Sequence, residues 1–299
     1  MNSIPVIFFH DGNQKYLKYA IDSAKAFNKY VFLIGTNNNQ DFCEDWFNLE
    51  LLNGEKYRNF VKMYQHMSTN SYEFELACFR RYFMLEEFMT SKNFDECIMI
   101  DSDVLTYCDY SKLHCFENVD VSVTIVPYQG KYDWAASPHI FYCKREALSK
   151  YITFILDTYQ YHIHILKEKA DYFIKNHLKG GICDMTLLYL WSVKNEVRFT
   201  NLIQADDICF DNCVQSANHL RPNQFKINPL LRIKKIKKKG NNIFFLEQCT
   251  KKLIPVGAIH FQGSAKSIMC DVYDDNNLFL KILHRYNDIL IRIVKKLLG

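Results

Sequence analysis

The sequence predicts an α/β fold, a single domain around a mixed, mostly parallel central sheet. Three observations predict it. The first hundred residues alternate short apolar runs with helical patterns, the strand–helix rhythm that builds parallel sheets. A buried run, Cys97 to Ile100, ends directly on acidic residues, the edge of an open α/β sheet where ligands bind. A chain of 299 residues, 48% hydrophobic and 23% charged, is also long and apolar enough to bury a large core without staples.

Element by element, residues 4–9 (IPVIFF) form a continuous apolar strand that closes in the polar turn HDGN. Tyr16, Leu17, Ala20, Ile21, Ala24 and Phe27 then share one helical face. Residues 30–34 (YVFLI) are a second strand, stopped by Gly35 and three asparagines. A long helical pattern over 72–92 surrounds Arg80 and Arg81 and leads into ECIMIDSDV, whose apolar part is a central strand. Residues 119–126 and 139–143 read as two further strands, and 145–160 as a helix. Gly180 and Gly181 open a helix over 182–194 with Asp184 in its first turn. A lysine-rich strand, LRIKKIKKK at 231–239, reads as a solvated edge strand, where lysines discourage edge pairing, or, together with the C-terminal segment, as a membrane-facing basic patch. A hairpin follows, NNIFFLEQ returning as LIPVGAIHFQG. His162 and His164 (YHIHI) could be two ligands on one strand face, but nothing else in the segment joins them and a structural role is the reading preferred.

The last segment differs in kind. From Leu278 to Leu298 apolar residues recur at three- and four-residue spacing, opposite a face holding Lys281, His284, Arg285, Arg292, Lys295 and Lys296. Residues 277–299 therefore read as a basic amphipathic helix, suited either to the surface of an anionic membrane or to packing on the domain. No window approaches the length of apolar sequence that spans a bilayer, and the N-terminus lacks the basic start of a secretory signal. A net charge of +4 is too mild for a dedicated nucleic-acid binder. Eleven cysteines without CxxC spacing fit neither a disulfide framework nor a zinc ribbon, so reduced, buried thiols and a cytosolic location are expected.

Three places could carry chemistry. Asp101 and Asp103 sit just past the central strand, where two carboxylates can share one Mg²⁺ or Mn²⁺ with substrate phosphates. A solvated turn is the plain alternative, because so short a motif also arises by chance. His260, at the end of the run PVGAI, could add a nitrogen ligand, which favours Mn²⁺; Gly263 would let a phosphate approach the backbone, and Lys266 would supply a compact positive charge. A hydrogen-bonded strand-end histidine is the alternative there. Asp184 could hold a substrate, or simply complement the dipole of the helix it opens.

These stretches resemble the GT-A-fold, nucleotide-sugar-dependent glycosyltransferases, within them family 8, the group of bacterial lipopolysaccharide galactosyl- and glucosyltransferases. FFHDGNQKYLKYAIDSA at 8–24 looks like that family's first strand and nucleotide-contacting turn, CIMIDSDVL at 97–105 like its DxD strand, and IHFQGSAK at 259–266 like its HxxGxxK motif. The resemblance implies a Rossmann-like GT-A domain over 1–270, with a nucleotide-binding half at about 1–128 and a sugar and acceptor half at about 129–270. It implies Mn²⁺ (or Mg²⁺) held by Asp101, Asp103 and His260 against the diphosphate of a nucleotide sugar, UDP-linked in that family's manner. Gly263 and Lys266 would meet the phosphates, His10, Asp11 and Asn13 the base and ribose, and Arg81 the nucleotide or sugar, with Arg80 an equal claimant on spacing. Asp184 would position the donor sugar. From their position alone, Ser137 and His139 read as residues beside a sugar pocket. The acceptor would be a glycan, lipid-linked or polysaccharide chain, with peripheral membrane contact through 278–298 and no nucleic-acid partner. The sequence departs from the family at Met185, where a Gln is usual, and at Ser267-Ile268, where Pro-Trp is usual. Two other readings compete: a haloacid-dehalogenase-type phosphatase using Asp101 as nucleophile, and a carbohydrate- or membrane-binding module without catalysis.

Overall fold

A computed structural model of the chain describes residues 3–125, 130–194, 196–204, 208–215 and 224–274. The amphipathic helix expected at 277–299 lies outside them. In chain order the elements begin with β1 (Val6–His10), α1 (Tyr16–Lys25), β2 (Val31–Gly35), β3 (Trp46–Asn48), α2 (Glu55–Met63), α3 (Tyr72–Ser91) and β4 (Glu96–Ile100). Next come β5 (Val104–Thr106), β6 (Val121–Ile125), β7 (Ala136–Lys144), α4 (Arg145–Tyr161), α5 (Ile163–Lys175), α6 (Asp184–Ser192) and β8 (Phe199–Asn201). Last are β9 (Cys209–Phe210), β10 (Ile227–Asn228), β11 (Ile233–Lys234), β12 (Ile236–Lys239), β13 (Asn242–Leu246), β14 (Leu253–His260) and α7 (Met269–Asp274). No helix among the described residues is long and apolar enough to cross a membrane.

The chain forms two compact units. The first comprises the described residues of 1–13, 28–101 and 109–205. Its sheet has seven strands in the order β3-β2-β1-β4-β7-β6-β8. The first four run parallel, β7 is antiparallel to both neighbours, and β6 and β8 are parallel again. The expected α/β class and mostly parallel sheet are thus present. Val6, Ile7 and Phe8 on β1 and Cys97 to Ile100 on β4 are buried, as central strands covered on both faces must be. The register pairs Phe8 with Ile100, so β1 and β4 end at the same edge and deliver the 11–13 turn and Asp101 side by side.

Helix α3 starts cleanly because Ser71 Oγ accepts from the Phe74 N–H at 3.2 Å and two acids, Glu73 and Glu75, sit in the first turn. Its Phe79, Tyr82, Phe83, Leu85, Phe88 and Met89 are buried. Phe79 and Tyr159 of α4 close on Phe60 of α2, with ring centroids 5.0 and 5.1 Å away. This aromatic packing fixes the rotation of α3, and with it the direction in which Arg81 points.

The second unit comprises the described residues of 14–27, 102–108 and 206–299. Its five-stranded sheet runs β12-β13-β14-β5, with β9 parallel to β14. The expected hairpin is β13 with β14, antiparallel. Helix α1 is tied to β5 by the Thr106 N–H, which donates to Ser23 Oγ at 3.0 Å.

Three expectations are corrected. His162 and His164 do not share a strand face: His162 lies between α4 and α5, and His164 is in the first turn of α5, both exposed. Leu166, Lys169 and Ala170 bury the inner face of α5, so a helical period prevails over the short alternation of YHIHI. The lysine-rich segment is two strands. Lys237, Lys238 and Lys239 on β12 are exposed at the sheet edge as expected, but Lys234 on β11 is buried. His139 is wholly buried in β7, its carbonyl accepting from the Asp101 N–H at 3.0 Å, so it belongs to the core rather than to a pocket wall.

Candidate active site

In the second unit, β5 pairs antiparallel with β14 so that Val104 faces His260. The Phe261 N–H extends this ladder to the Asp103 carbonyl at 2.8 Å. Sheet pairing thus carries Asp103 to the HxxGxxK segment, more than 150 residues later in the chain. Asp103 Oδ1 lies 3.3 Å from His260 Nε2, and Oδ2 lies 3.1 Å from Lys266 Nζ. Both Asp103 and His260 are buried. Burial pushes the Asp103 carboxyl pKa up, but the His260 hydrogen bond and the charges of His260 and Lys266 outweigh it and hold this group well below the usual carboxylate range. Lys266 also lies 5.3 Å from the centroid of the Tyr16 ring. Gly263 has φ +60°, and a Cβ there would meet nothing, so the backbone of this turn is open to an approaching group.

In the first unit, Arg81 is the centre. Its Nη1 donates to Asp101 Oδ1 and its Nη2 to Asp184 Oδ2, each at 2.5 Å. Arg81 rather than Arg80 joins this cluster: Arg80 instead faces the Tyr57 ring at 5.8 Å. Asp184 is 3% exposed and also accepts from Tyr82 Oη at 3.0 Å and from the Met185 N–H at 2.8 Å. Burial opposes the Arg81 charge, but Tyr82, Asp101 and Asp184 outweigh it and keep the guanidinium protonated. Burial and then the Asp184 carboxylate push the Tyr82 hydroxyl far above its ordinary range, so it remains a donor.

Two glycines aim Asp184. Gly181 has φ +137°, and a Cβ on it would stand 2.2 Å from the Met67 carbonyl oxygen. The Ile182 N–H donates to that same oxygen at 2.8 Å, and the Thr69 N–H donates to the Gly180 carbonyl at 2.9 Å. The chain is pinned there immediately before α6, and the first residue of α6 is Asp184.

His10 ends β1, and Asp11 and Asn13 are exposed on the turn after it. The turn is held by Asn39, which is 1% exposed and donates through Nδ2 to the carbonyls of His10 at 2.9 Å and Gly12 at 2.7 Å. Gly35 leaves room for this, since a Cβ there would lie 2.1 Å from Asn39 Oδ1. Asn39 and Tyr82 are site residues that the sequence reading missed. The only signals were the last of three asparagines, four residues after a strand-ending glycine, and a tyrosine adjacent to Arg81.

Asp101 and Asp103 are two residues apart, so their Cα atoms lie within about 7 Å of each other however the rest of the chain is arranged. A carboxylate and an imidazole make the mixed oxygen and nitrogen donor set that suits Mn²⁺. Asp103 and His260 provide that set, with Asp103 already ionised and facing a cation in Lys266, so these residues fit a divalent metal.

No protein-family model and no curated protein matches the chain. Among solved structures, it is similar to mouse xyloside xylosyltransferase 1 in its apo form, at 10% identity over 67% of this chain and 84% of that one, with a TM-score of 0.45. It is similar to the galactosyltransferase LgtC in complex with donor and acceptor sugar analogs, at 12% identity over 91% of this chain and 96% of that one, TM-score 0.44. It is also similar to the apo form of the bifunctional glycosyltransferase WbbM, at 12% identity over 95% of this chain and 51% of that one, TM-score 0.44.

Proposed function

We propose that this chain is a GT-A glycosyltransferase that moves a sugar from a nucleotide sugar, a UDP-sugar in the first instance, to a glycan, lipid-linked or polysaccharide acceptor. The observation that carries this reading is the buried Asp103 carboxylate between His260 and Lys266. The second acid of the DxD pair and the two functional side chains of HxxGxxK need have nothing to do with each other unless they serve one ligand. Asp101, Asp103 and His260 would hold Mn²⁺ or Mg²⁺, and when bound the cation would offset the charge that builds on the departing diphosphate.

Lys266 would add its positive charge to the same phosphates, and the open backbone at Gly263 would let them approach. His10, Asp11 and Asn13 would contact base and ribose from the turn that Asn39 holds. Asp184 would accept hydrogen bonds from the sugar hydroxyls, held in place by Arg81 and Tyr82. Cytosolic location and peripheral membrane contact through 278–298 belong to the same proposal. The test is release of the nucleoside diphosphate from a panel of UDP- and GDP-sugars, with and without Mn²⁺. Metal-dependent release that disappears in Asp103→Ala is expected. No release from any donor, with aspartyl-phosphate trapped at Asp101, would transfer the chain to the phosphatase reading.

A further inference from the structure

Lys234 is buried although its four neighbouring lysines, at 235, 237, 238 and 239, are exposed. Its ammonium lies between the rings of Phe225 and Phe245, each centroid 5.6 Å away. It donates to the buried Asp211 Oδ1 and, at 2.8 Å, to the Cys213 carbonyl. Its own N–H donates to the Val214 carbonyl at 2.8 Å. Taking both ions of such a pair out of water is costly, and apolar residues of similar volume would fill the place at least as stably. The pair therefore calls for a reason other than stability.

That reason lies in the residue it brackets. Lys234 grips residues 211, 213 and 214 and leaves Asn212 between them. The same segment is laced to β14 by the Asp211 N–H donating to the Ala258 carbonyl at 3.0 Å and the Val214 N–H donating to the His260 carbonyl at 2.9 Å. The Asn212 carbonyl then stands 2.7 Å from His260 Nδ1. A carbonyl oxygen only accepts, so Nδ1 carries the hydrogen, and the ring's other nitrogen, Nε2, is the one turned to Asp103. A metal takes imidazole through a nitrogen lone pair, and the hydrogen bond at the opposite nitrogen decides which one is offered.

We propose that Asp211 and Lys234 form a positioning clamp for His260: they fix the Asn212 carbonyl, which holds Nδ1–H and presents Nε2 to a divalent cation. This rests on the reading of His260 as a metal ligand.

The test uses the full chain in three parts. Mn²⁺ affinity is measured by electron paramagnetic resonance in the presence of UDP, on wild type, on His260→Ala, and on the double variant Lys234→Met with Asp211→Leu. The double variant removes both charges and leaves none unpaired, and circular dichroism checks its fold. Wild-type binding is expected to weaken about 10- to 100-fold in the folded double variant, the range for losing an outer-shell partner. Imidazole ¹⁵N spectra of the wild type are expected to show Nδ1 of His260 protonated, and those of the double variant to lose this single form. A folded double variant with wild-type affinity and an unchanged His260 spectrum would overturn the clamp. So would a wild-type His260 whose Nδ1 carries no proton, whether or not the variant folds. Absence of Mn²⁺ binding in the wild type itself would instead overturn the metal reading on which the clamp rests.

Discussion

Lys169 provides a quantitative test of the packing around Asp184. It is 4% exposed on α5, and its ammonium donates to Thr186 Oγ1 at 2.9 Å and to the Trp134 carbonyl at 3.3 Å. Burial lowers its pKa to about 8, with Cys183 and Asp133 opposing. From pH 8 to the unfolded value of 10.5 the unfolded chain keeps a proton that the folded chain has released, so this group makes stability rise with pH. Integrated from pH 7 to 9.5, the two values give about 2 kcal/mol. Other groups act in the opposite sense. Burial raises the thiols of Cys78, Cys97, Cys183 and Cys213, and a raised acid loses its stabilising contribution as pH climbs past its unfolded value. Absolute stability therefore mixes both trends. The clean readout is the difference between wild type and Lys169→Met, in which the thiols and tyrosines that Lys169 does not touch cancel; only Cys183 feels its charge, as the last of its causes. Urea unfolding at pH 7 and 9.5 should show the wild type gaining about 2 kcal/mol relative to the variant. A difference that stays constant with pH would refute the claim that Lys169 is buried at the cost of its charge.

Substitutions at three further positions test the supports of the site. Gly181→Ala places a Cβ against the Met67 carbonyl at a positive φ, and should cost at least about 1–3 kcal/mol in chemical unfolding; a neutral result would mean that the 180–182 segment is not pinned. Arg81→Met strands the buried Asp184 carboxylate and should destabilise by about 3–5 kcal/mol, with Arg81→Lys losing less; a change below about 1 kcal/mol would contradict the two-carboxylate grip. Asn39→Ala frees two carbonyls of the 10–12 turn and should cost about 1–3 kcal/mol while weakening nucleotide binding more than it weakens Mn²⁺ binding, read by titration calorimetry.

The strands and helices that position these residues were legible because their periods are strong. The buried runs at β1, β2 and β4 and the long pattern of α3 are found within a few residues of where the sequence puts them. Asp103, His260 and Lys266 were legible as types with a chemistry, and pairing of β5 with β14 supplies the contact that no local pattern encodes. Lys234 was misread because lysine in an alternating basic run belongs on a wet edge by every local rule. Its burial depends on Asp211, Phe225 and Phe245, which only the fold assembles around it. The pairing of YHIHI failed for a related reason: five residues fit a strand, but the next ten fit a helix better. Arg81 could not be separated from Arg80 on spacing, because that choice is made by the rotation of α3 against Phe60 and Tyr159.

The most direct measurement is calorimetric titration of UDP into the purified protein with and without Mn²⁺, run in parallel on Asp103→Ala and His260→Ala. Binding that requires the metal and disappears in both variants is the predicted result, since Asp103 and His260 would then serve one diphosphate site. Binding of UDP that persists unchanged in both variants, or no binding of any nucleotide under any metal condition, would contradict it.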